Sequence, residues 1–383
     1  MSLITLIFLL LLIGGLIYTH RVLGGENLAV YDQALPLTFD VAEHTNGIER
    51  LNAHIDENFG TPAQSARANT GWEAKRERFD AAGLARDFDC EFRPDKFTYD
   101  GVNVDGDWTL VKGANPNKRI LYLHGGAFTV GSAISHRPLT YNIAKQTGCA
   151  VFAPNYRLMP EHSRMSGIKD CRAAYGWILN NGPDGLSDCQ TIGVAGDSAG
   201  GNLTLMINHW TRNSSHRPPN AVVAISPITD ATLSSPSMKK NLDTDLILAP
   251  LLKPVLKAPR TLLLWGLKKA YGFKPSDPLI SPIYDDLSGL SPTLIQASQQ
   301  RCYMMTGPAM RQRQRPKARL LCFKVGQICP MSGNFLTTMF KKLVRLWMKL
   351  GYFSNVTAYQ NKRLNLDELK MKFFLRVSSE LIG

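Results

Sequence analysis

Short apolar runs and amphipathic stretches alternate along most of this chain. Runs rich in Val, Ile, Leu and Ala predict buried strands, at residues 119–123, 150–155, 191–195, 221–225 and 292–297. Stretches with helical periodicity lie before and between them, at residues 72–87, 170–180, 200–210 and 241–271. Because strands and helices alternate, the pattern predicts an α/β fold, with a mostly parallel sheet and helices on both faces.

The segment before these strands is organised differently. Residues 30–60 and 72–87 predict two N-terminal helices, which form either a cap over a site or a solvated region packed on the core. Residues 91–111 alternate as strands, with a turn at Asp100 and Gly101. The predicted regions are a membrane-spanning helix at 1–20, a cap-like helical region at 21–96, an α/β core at 97–300 and a basic tail at 301–383.

The N-terminus is an apolar segment without charged side chains. Its apolar core, residues 3–18, is slightly shorter than the roughly 20 residues that a spanning helix needs. It lacks the basic n-region and the small-x-small cleavage site of a signal peptide. We interpret it as a single-pass N-terminal membrane anchor. The alternative is a removed signal peptide, which would leave a secreted or periplasmic protein.

Positive charge is confined to the end of the chain. The formal net charge is +13 over 383 residues. From Arg301 onward, 16 Lys and Arg stand against three acidic residues, so this segment carries the whole excess and residues 1–300 are balanced. No nucleic-acid-binding motif accompanies the charge, and we expect no nucleic-acid partner. The seven cysteines show no C-x-x-C spacing, so neither a metal site nor a disulfide framework is expected.

One stretch has the features of a catalytic turn. The pentapeptide Gly196-Asp197-Ser198-Ala199-Gly200 lies between a predicted strand and a predicted helix, and it matches the G-x-S-x-G nucleophile elbow. Glycines beside the serine allow a tight, strained turn that exposes its hydroxyl at a helix N-terminus. A glycine-rich turn with a serine N-cap is the alternative, but the flanking strand and helix favour the catalytic interpretation.

A second glycine motif follows the first strand of the predicted core. His124-Gly125-Gly126 comes directly after residues 119–123. Two glycines after a strand end leave backbone N–H groups free to donate to an oxyanion. A plain turn with a core-packed histidine is the alternative, but the elbow at Ser198 favours the oxyanion interpretation.

Four motifs together resemble the hormone-sensitive-lipase-like group of α/β hydrolases. They are His124-Gly125-Gly126-Ala127-Phe128, Tyr156-Arg157-Leu158 with Pro160-Glu161-His162, Gly196-Asp197-Ser198-Ala199-Gly200-Gly201-Asn202, and Asp277-Pro278 with Ser281-Pro282. The resemblance covers about residues 97–297. It implies the α/β-hydrolase fold and a relation to carboxylesterases, acetyl esterases and arylacetamide-deacetylase-like enzymes, some of which have an N-terminal membrane anchor.

The resemblance also implies a reaction and the residues that perform it. The implied site residues are the nucleophile Ser198, the oxyanion-hole donors Gly125, Gly126 and Ala199, and the motif residues His124 and Asp197. The acyl group of a small ester would pass to Ser198, and the acyl-enzyme would then be hydrolysed, without a metal or organic cofactor. An N-acyl or amide hydrolase of the same fold is an alternative, and the oligomeric state stays open.

The resemblance breaks after the strand predicted at residues 292–297. The family places its triad acid just after this strand and its triad histidine some tens of residues later. The last histidine here is His216, and His162, close after Pro160, is predicted to be structural. The acids of the tail are Asp367, Glu368 and Glu380. Because a serine without a base is a poor nucleophile, we expect impaired activity, with a non-catalytic membrane-anchored binding or scaffold protein as the alternative.

Two explanations fit the basic tail. It is either a genuine arm that contacts anionic lipid, or an out-of-frame translation of the missing part that begins near residues 299–301. If the last base of each codon is joined to the first two of the next, Met304-Met305-Thr306 must read Asp-Asp, because Met has one codon. The same shift permits Asn-Met-Pro-His-Val-Trp-Gln-Phe over residues 327–335, which is similar to the family's histidine motif. We therefore expect the in-frame tail to pack poorly and to leave a sheet edge uncovered.

Overall fold

Nine of the described strands form one mixed sheet. The computed structural model describes residues 3–28, 38–39, 71–84, 87–245, 248–298 and 320–325. The strands are β1 Thr38–Phe39, β2 Glu91–Tyr99, β3 Val102–Leu110, β4 Asn115–Leu123, β5 Cys149–Pro154, β6 Asn181–Gly182, β7 Gly185–Leu186, β8 Thr191–Asp197, β9 Ala221–Ile225, β10 Thr293–Ser298 and β11 Leu320–Val325. The helices are α1 Leu3–Tyr18, α2 Trp72–Leu84, α3 Arg137–Thr147, α4 Arg164–Ile178, α5 Ser198–Arg212, α6 Ser237–Lys240, α7 Ala249–Val255 and α8 Arg260–Tyr271, with a π turn at Thr19–Leu23 and a 3₁₀ turn at Pro282–Tyr284.

Most of this sheet is parallel. The strand order is β1-β11-β10-β9-β8-β4-β5-β3-β2, and every neighbouring pair from β1 to β5 in that order is parallel. The β2–β3 hairpin adds an antiparallel edge beside β5. Its turn contains Asp100 and Gly101, both with positive φ, as predicted from the sequence. The predicted α/β fold with a mostly parallel sheet is confirmed.

The central strands are buried, as their apolar runs predict. Every residue of β5 and β9 is buried, and Trp108, Phe152 and Trp177 belong to the main hydrophobic core. β8 extends two residues past its predicted end, so that α5 begins at Ser198 itself and not near Gly200. Because β8, β9 and β10 are parallel neighbours, their carboxyl ends lie along one edge of the sheet with Ser198.

One predicted helical region differs from the structure, and another lies almost wholly outside the described residues. Residues 241–271 contain two helices, α7 and α8, because Pro259 precedes α8 and a proline cannot continue a helix. The predicted helix at residues 30–60 lies outside the described residues, except that Thr38–Phe39 forms a short strand.

The prediction of an uncovered sheet edge beside β10 is wrong. β11 pairs in parallel along the whole of β10, and β1 pairs with the last two residues of β11. The run Leu320-Leu321-Cys322-Phe323 is apolar and suits a strand, which explains how this part of the tail joins the sheet. The rest of the tail lies outside the described residues.

The N-terminal apolar helix is long enough to cross a membrane. Leu3–Leu23 combines α1 with the π turn and spans 21 residues. Only 6% of the most apolar stretch of this helix is buried in the protein. By length and composition, such a helix fits a membrane anchor or a signal sequence.

Candidate active site

β8 and α5 meet in a turn whose backbone is strained at Ser198. This residue has a φ of +51°, in the left-handed region that residues other than glycine rarely adopt. Ser198 is partly exposed and is the first residue of α5, whereas the neighbouring Ala199 is fully buried. The hydroxyl therefore lies at a helix N-terminus, where the helix dipole favours negative charge. Strain of this kind is often found at functional sites.

Two glycines allow this turn to pack against the end of β4. A Cβ atom on Gly196 would lie 2.5 Å from the carbonyl oxygen of Leu123, and one on Gly200 would lie 1.9 Å from the same oxygen. Only glycine permits such a close backbone approach. Because β4 leads directly into His124, this packing brings the loop after β4 beside Ser198.

The loop after β4 turns through three consecutive residues with positive φ. Gly126, Ala127 and Phe128 have φ values of 113°, 52° and 64°. The N–H groups of Thr129 and Val130 both donate to the carbonyl of Gly126 at 3.0 Å, which closes the turn. Within the described ranges, the N–H groups of Gly126 and Ala127 donate to no acceptor, so they are candidates to bind an oxyanion.

The N–H group of Gly125 is already engaged. It donates to Oδ1 of Asp197 at 3.0 Å, and Nε2 of His136 lies 3.2 Å away. Donation to an oxyanion would require this buried hydrogen bond to a carboxylate to break, which is unfavourable. The oxyanion role predicted for Gly125 therefore does not fit the geometry, whereas Gly126 keeps a free amide.

Asp197 is a buried carboxylate that ties the loop to the elbow. Its Oδ1 accepts hydrogen bonds from the hydroxyl of Tyr122 at 2.8 Å and from the Gly125 N–H, and it lies 3.5 Å from Nε2 of His136. Burial alone raises the pKa of Asp197, but the charge of His136 and hydrogen bonds from His136 and Tyr122 outweigh it and lower this pKa overall. Sequence reasoning missed Tyr122 and His136, although the hydroxyl of Tyr122 in an apolar strand was a signal.

His124 is packed in the core and supports the loop. Its ring stacks on Tyr156 with centroids 4.1 Å apart, and its Nδ1–H donates to the carbonyl of Gly125 at 2.8 Å. The hydroxyl of Tyr156 donates to the carbonyl of His124 at 2.7 Å. Burial lowers the pKa of His124 to about 3, so the ring is neutral near pH 7.

Of the six histidines in the described ranges, none hydrogen-bonds to Ser198. His209 pairs through Nδ1 with Asp285 at 2.5 Å, and His216 lies against the ring of Trp210. His162 is exposed on a bend after Pro160, and its structural role stays a prediction. The remaining three are His20, His124 and His136. The described part of the site therefore combines a strained serine with free amides, and no described histidine is hydrogen-bonded to this serine.

Comparison with known proteins identifies the class. Residues 120–319, just over half of the chain, match the sequence family described as the alpha/beta hydrolase fold. The chain belongs to this family. Its relatives and structural neighbours place it in the hormone-sensitive-lipase-like group, as the motifs around His124 and Ser198 predict.

Relatives in sequence cover the core of the chain. An esterase of Acinetobacter venetianus is 32% identical over 185 residues, which represent 48% of this chain and 56% of that protein. An acetyl-hydrolase of Streptomyces hygroscopicus is 34% identical over 182 residues, or 47% and 56% of the two chains. The chain thus spans about half the length of the curated relatives it matches. The crystal structure of a hormone-sensitive lipase from a metagenome library is 26% identical, with a TM-score of 0.63, and the match covers 81% of this chain and 99% of that one.

Proposed function

We propose that this protein is a serine hydrolase of carboxylic esters, with Ser198 as its nucleophile. The strained, partly exposed Ser198 at the start of α5 is the observation that carries the proposal. The names of the relatives, esterase and acetyl-hydrolase, support an ester as the substrate. A small ester fits this proposal, and no metal or organic cofactor is required for acyl transfer to serine.

The proposed reaction has two steps. Oγ of Ser198 forms a bond to the ester carbonyl carbon, the bond to the alkoxide breaks, and the serine proton passes to water while the alkoxide takes a proton. Water then hydrolyses the acyl-enzyme and restores the hydroxyl. The N–H groups of Gly126, Ala127 and Ala199 would hold the oxyanion, with Ala127 in place of Gly125, because the Gly125 amide is bonded to Asp197.

We further propose that the chain as translated turns over slowly. No histidine in the described ranges hydrogen-bonds to Ser198, and no histidine follows His216 in the sequence. Without a general base, catalysis would rest on the oxyanion donors and on substrate binding. This same observation favours the second candidate, a non-catalytic membrane-anchored binding or scaffold protein with the hydrolase fold.

Active-site labelling distinguishes these two candidates. We expect a fluorophosphonate probe to label the folded chain slowly at Ser198, because the amides near this serine can stabilise the tetrahedral adduct. Labelling should fall to background in Ser198→Ala. The matched control is Ser226→Ala, since Ser226 is also partly exposed with a positive φ of 45° at the end of the adjacent strand, and this variant should label normally. Intact mass and peptide mapping provide the measurement. Absence of labelling in a folded chain would contradict the hydrolase proposal and support the binding protein.

We also propose that the apolar N-terminal helix is a retained membrane anchor. Its C-terminal end is part of the folded domain, because Thr19 and Leu23 are each at most 2% exposed, and the chain that follows the helix enters the core at Leu28. Leu28 packs in a core cluster with Leu205 and Ile295. Removal of this segment as a signal peptide would take Leu23 out of the core, which costs about 2 kcal/mol or more.

Mass spectrometry and extraction test the anchor. The mature protein should begin before Leu3 and should stay with the membrane pellet after alkaline carbonate extraction, because removing the helix would also remove the buried Leu23 from the core. A mature N-terminus beyond Thr19, with release into the soluble fraction, would contradict the anchor and support a removed signal peptide.

A further inference from the structure

A basic and partly apolar surface lies on the two helices α7 and α8. Residues 249–271 contain five Lys or Arg residues and no acidic residue. On the same helices the apolar side chains of Val255, Leu262 and Trp265 are 48%, 64% and 44% exposed. Outside α1, the other large apolar residues this exposed in the described ranges are Leu84 and Leu186. Leu262, Trp265 and Lys269 are spaced three and four positions apart on α8, so they share one face of this helix, and such a mixed apolar and basic face is suited to an interaction surface.

Hydrogen bonds fix this surface to the end of the N-terminal helix. Nε1 of Trp265 donates to Oγ1 of Thr19 at 2.9 Å, and Nζ of Lys268 donates to the hydroxyl of Tyr18 at 3.1 Å. The guanidinium of Arg260 donates to the carbonyl of Gly24 at 2.8 Å. The rings of Tyr18 and Trp265 also lie in contact, with centroids 5.6 Å apart. α8 is therefore attached at the point where the apolar helix meets the folded domain.

The length of the apolar helix sets how close α8 comes to the bilayer. α1 has 16 residues, which span about 24 Å at the usual rise of an α-helix. The hydrocarbon core of a bilayer is about 30 Å thick, so the adjoining turn Thr19–Leu23 must also approach its boundary. Because Trp265 is hydrogen-bonded to Thr19, an anchor that spans the bilayer would place α8 at the depth of the lipid headgroups.

We propose that α7 and α8 dock on the surface of an anionic lipid bilayer. This α7–α8 surface consists of Val255, Leu262 and Trp265 with the basic side chains of Lys257 and Lys269. Its chemistry fits the headgroup layer, where Trp side chains are favoured, and basic side chains gain attraction to anionic lipid. The proposal rests on the proposed membrane anchor, since the anchor brings the surface to the bilayer.

The surface is close to the candidate active site. α8 ends at Tyr271, whose ring packs edge-on against Phe128 with centroids 6.4 Å apart. Phe128 follows directly after the free amides of Gly126 and Ala127. The helix that contacts lipid thus also ends against the loop that carries the proposed oxyanion donors, and the site lies beside the membrane surface.

Fluorescent labelling of the full chain in vesicles tests the surface. Leu262→Cys carries an NBD label on the α7–α8 surface, and Leu186→Cys is the matched control, because Leu186 is 86% exposed on β7, outside the helices α7 and α8. The unsubstituted chain, labelled identically, gives the background from native cysteines. In vesicles of phosphatidylcholine with phosphatidylglycerol, we expect blue-shifted emission and protection from aqueous iodide at residue 262. Residue 186 should stay fully quenched.

Charge reversal tests the lipid preference of the same surface. Lys257→Glu with Lys269→Glu should remove the dependence of the residue-262 signal on the phosphatidylglycerol fraction. The matched control is Lys112→Glu with Lys169→Glu, which changes the net charge by the same amount at exposed positions outside the α7–α8 surface. In this control the residue-262 signal should still depend on the phosphatidylglycerol fraction.

Alkaline extraction of the same vesicles separates the surface from the anchor. One outcome is a chain that resists extraction while iodide quenches residue 262 as strongly as residue 186. This result would keep the anchor and overturn the α7–α8 surface. Protection at residue 262 in a chain that alkali extracts would keep the surface and overturn the anchor. Extraction without protection would overturn both.

Discussion

Ester hydrolysis is expected to rise by roughly 10⁴-fold or more when the reading frame is shifted at Gln300, because the shifted frame would supply an acid and a histidine for the proposed catalytic triad. In the shifted frame, Met304-Met305-Thr306 must read Asp-Asp, and residues 327–335 permit a histidine within a run similar to the family's motif. A histidine beside Ser198 would accept the serine proton, and an acid would orient that histidine.

The sheet explains why an acid at this place can reach the site. β8, β9 and β10 are adjacent parallel strands, so residues that follow β10 emerge at the edge where Ser198 follows β8. Strands are about 4.8 Å apart, so the ends of β8 and β10 are separated by about 10 Å. β10 ends at Ser298, a few residues before the shifted Asp-Asp. A side chain in the loop after β10 is therefore within reach of a histidine that contacts Ser198.

Hydrolysis of a short p-nitrophenyl ester measures the gain, with the chain as translated and the frame-shifted chain compared at equal concentrations of folded protein. Ser198→Ala in the frame-shifted chain is the control, and it should remove the gain. Stop codons in the shifted frame of the gene, or no histidine codon there, would rule out the hypothesis. Equal activity of the two folded chains would also contradict it and would favour a genuine basic tail.

Substitution of Gly200 by alanine is expected to lower the free energy of unfolding by about 4 kcal/mol or more, because the new Cβ has no space. It would lie 1.9 Å from the carbonyl oxygen of Leu123 and 2.5 Å from that of His124. Both are backbone atoms at the end of the central strand β4, and neither can move without disturbing the sheet. Since folded domains are stable by only about 5–15 kcal/mol, Gly200→Ala removes much of this stability.

Gly266→Ala is the matched control for this substitution. Gly266 lies inside α8, is exposed, and has no atom within 4 Å of a built Cβ. Alanine is favoured over glycine in a helix by about 1 kcal/mol, so this variant should be as stable as the unsubstituted chain or slightly more stable. Urea unfolding of the full chain in detergent, followed by circular dichroism, provides the comparison. Similar midpoints for the two variants would show that the elbow does not require glycine at position 200.

The sequence predicted the parts of the site that depend on neighbouring residues. An apolar β-branched run followed by Gly196-Asp197-Ser198-Ala199-Gly200 and an amphipathic helix predicts a strand, a tight turn and a helix, and the structure has all three. The parallel sheet was likewise predictable from alternating apolar runs. The strand β11 in the tail was not predictable from the sequence, because it depends on pairing with β10.

Only the tertiary structure decided how distant residues share the site. Asp197 accepts a hydrogen bond from the N–H group of Gly125, which is 72 positions earlier in the chain. The N–H groups of Gly126 and Ala127 are the free ones in this loop. Trp265 binds Thr19 across 246 positions and attaches α8 to the apolar helix. Hydrogen-bond partners so far apart leave no periodicity or spacing in the sequence. The sequence alone thus determined the serine elbow and the fold class, whereas the identity of the free amides beside Ser198 and the position of α8 depend on three-dimensional packing.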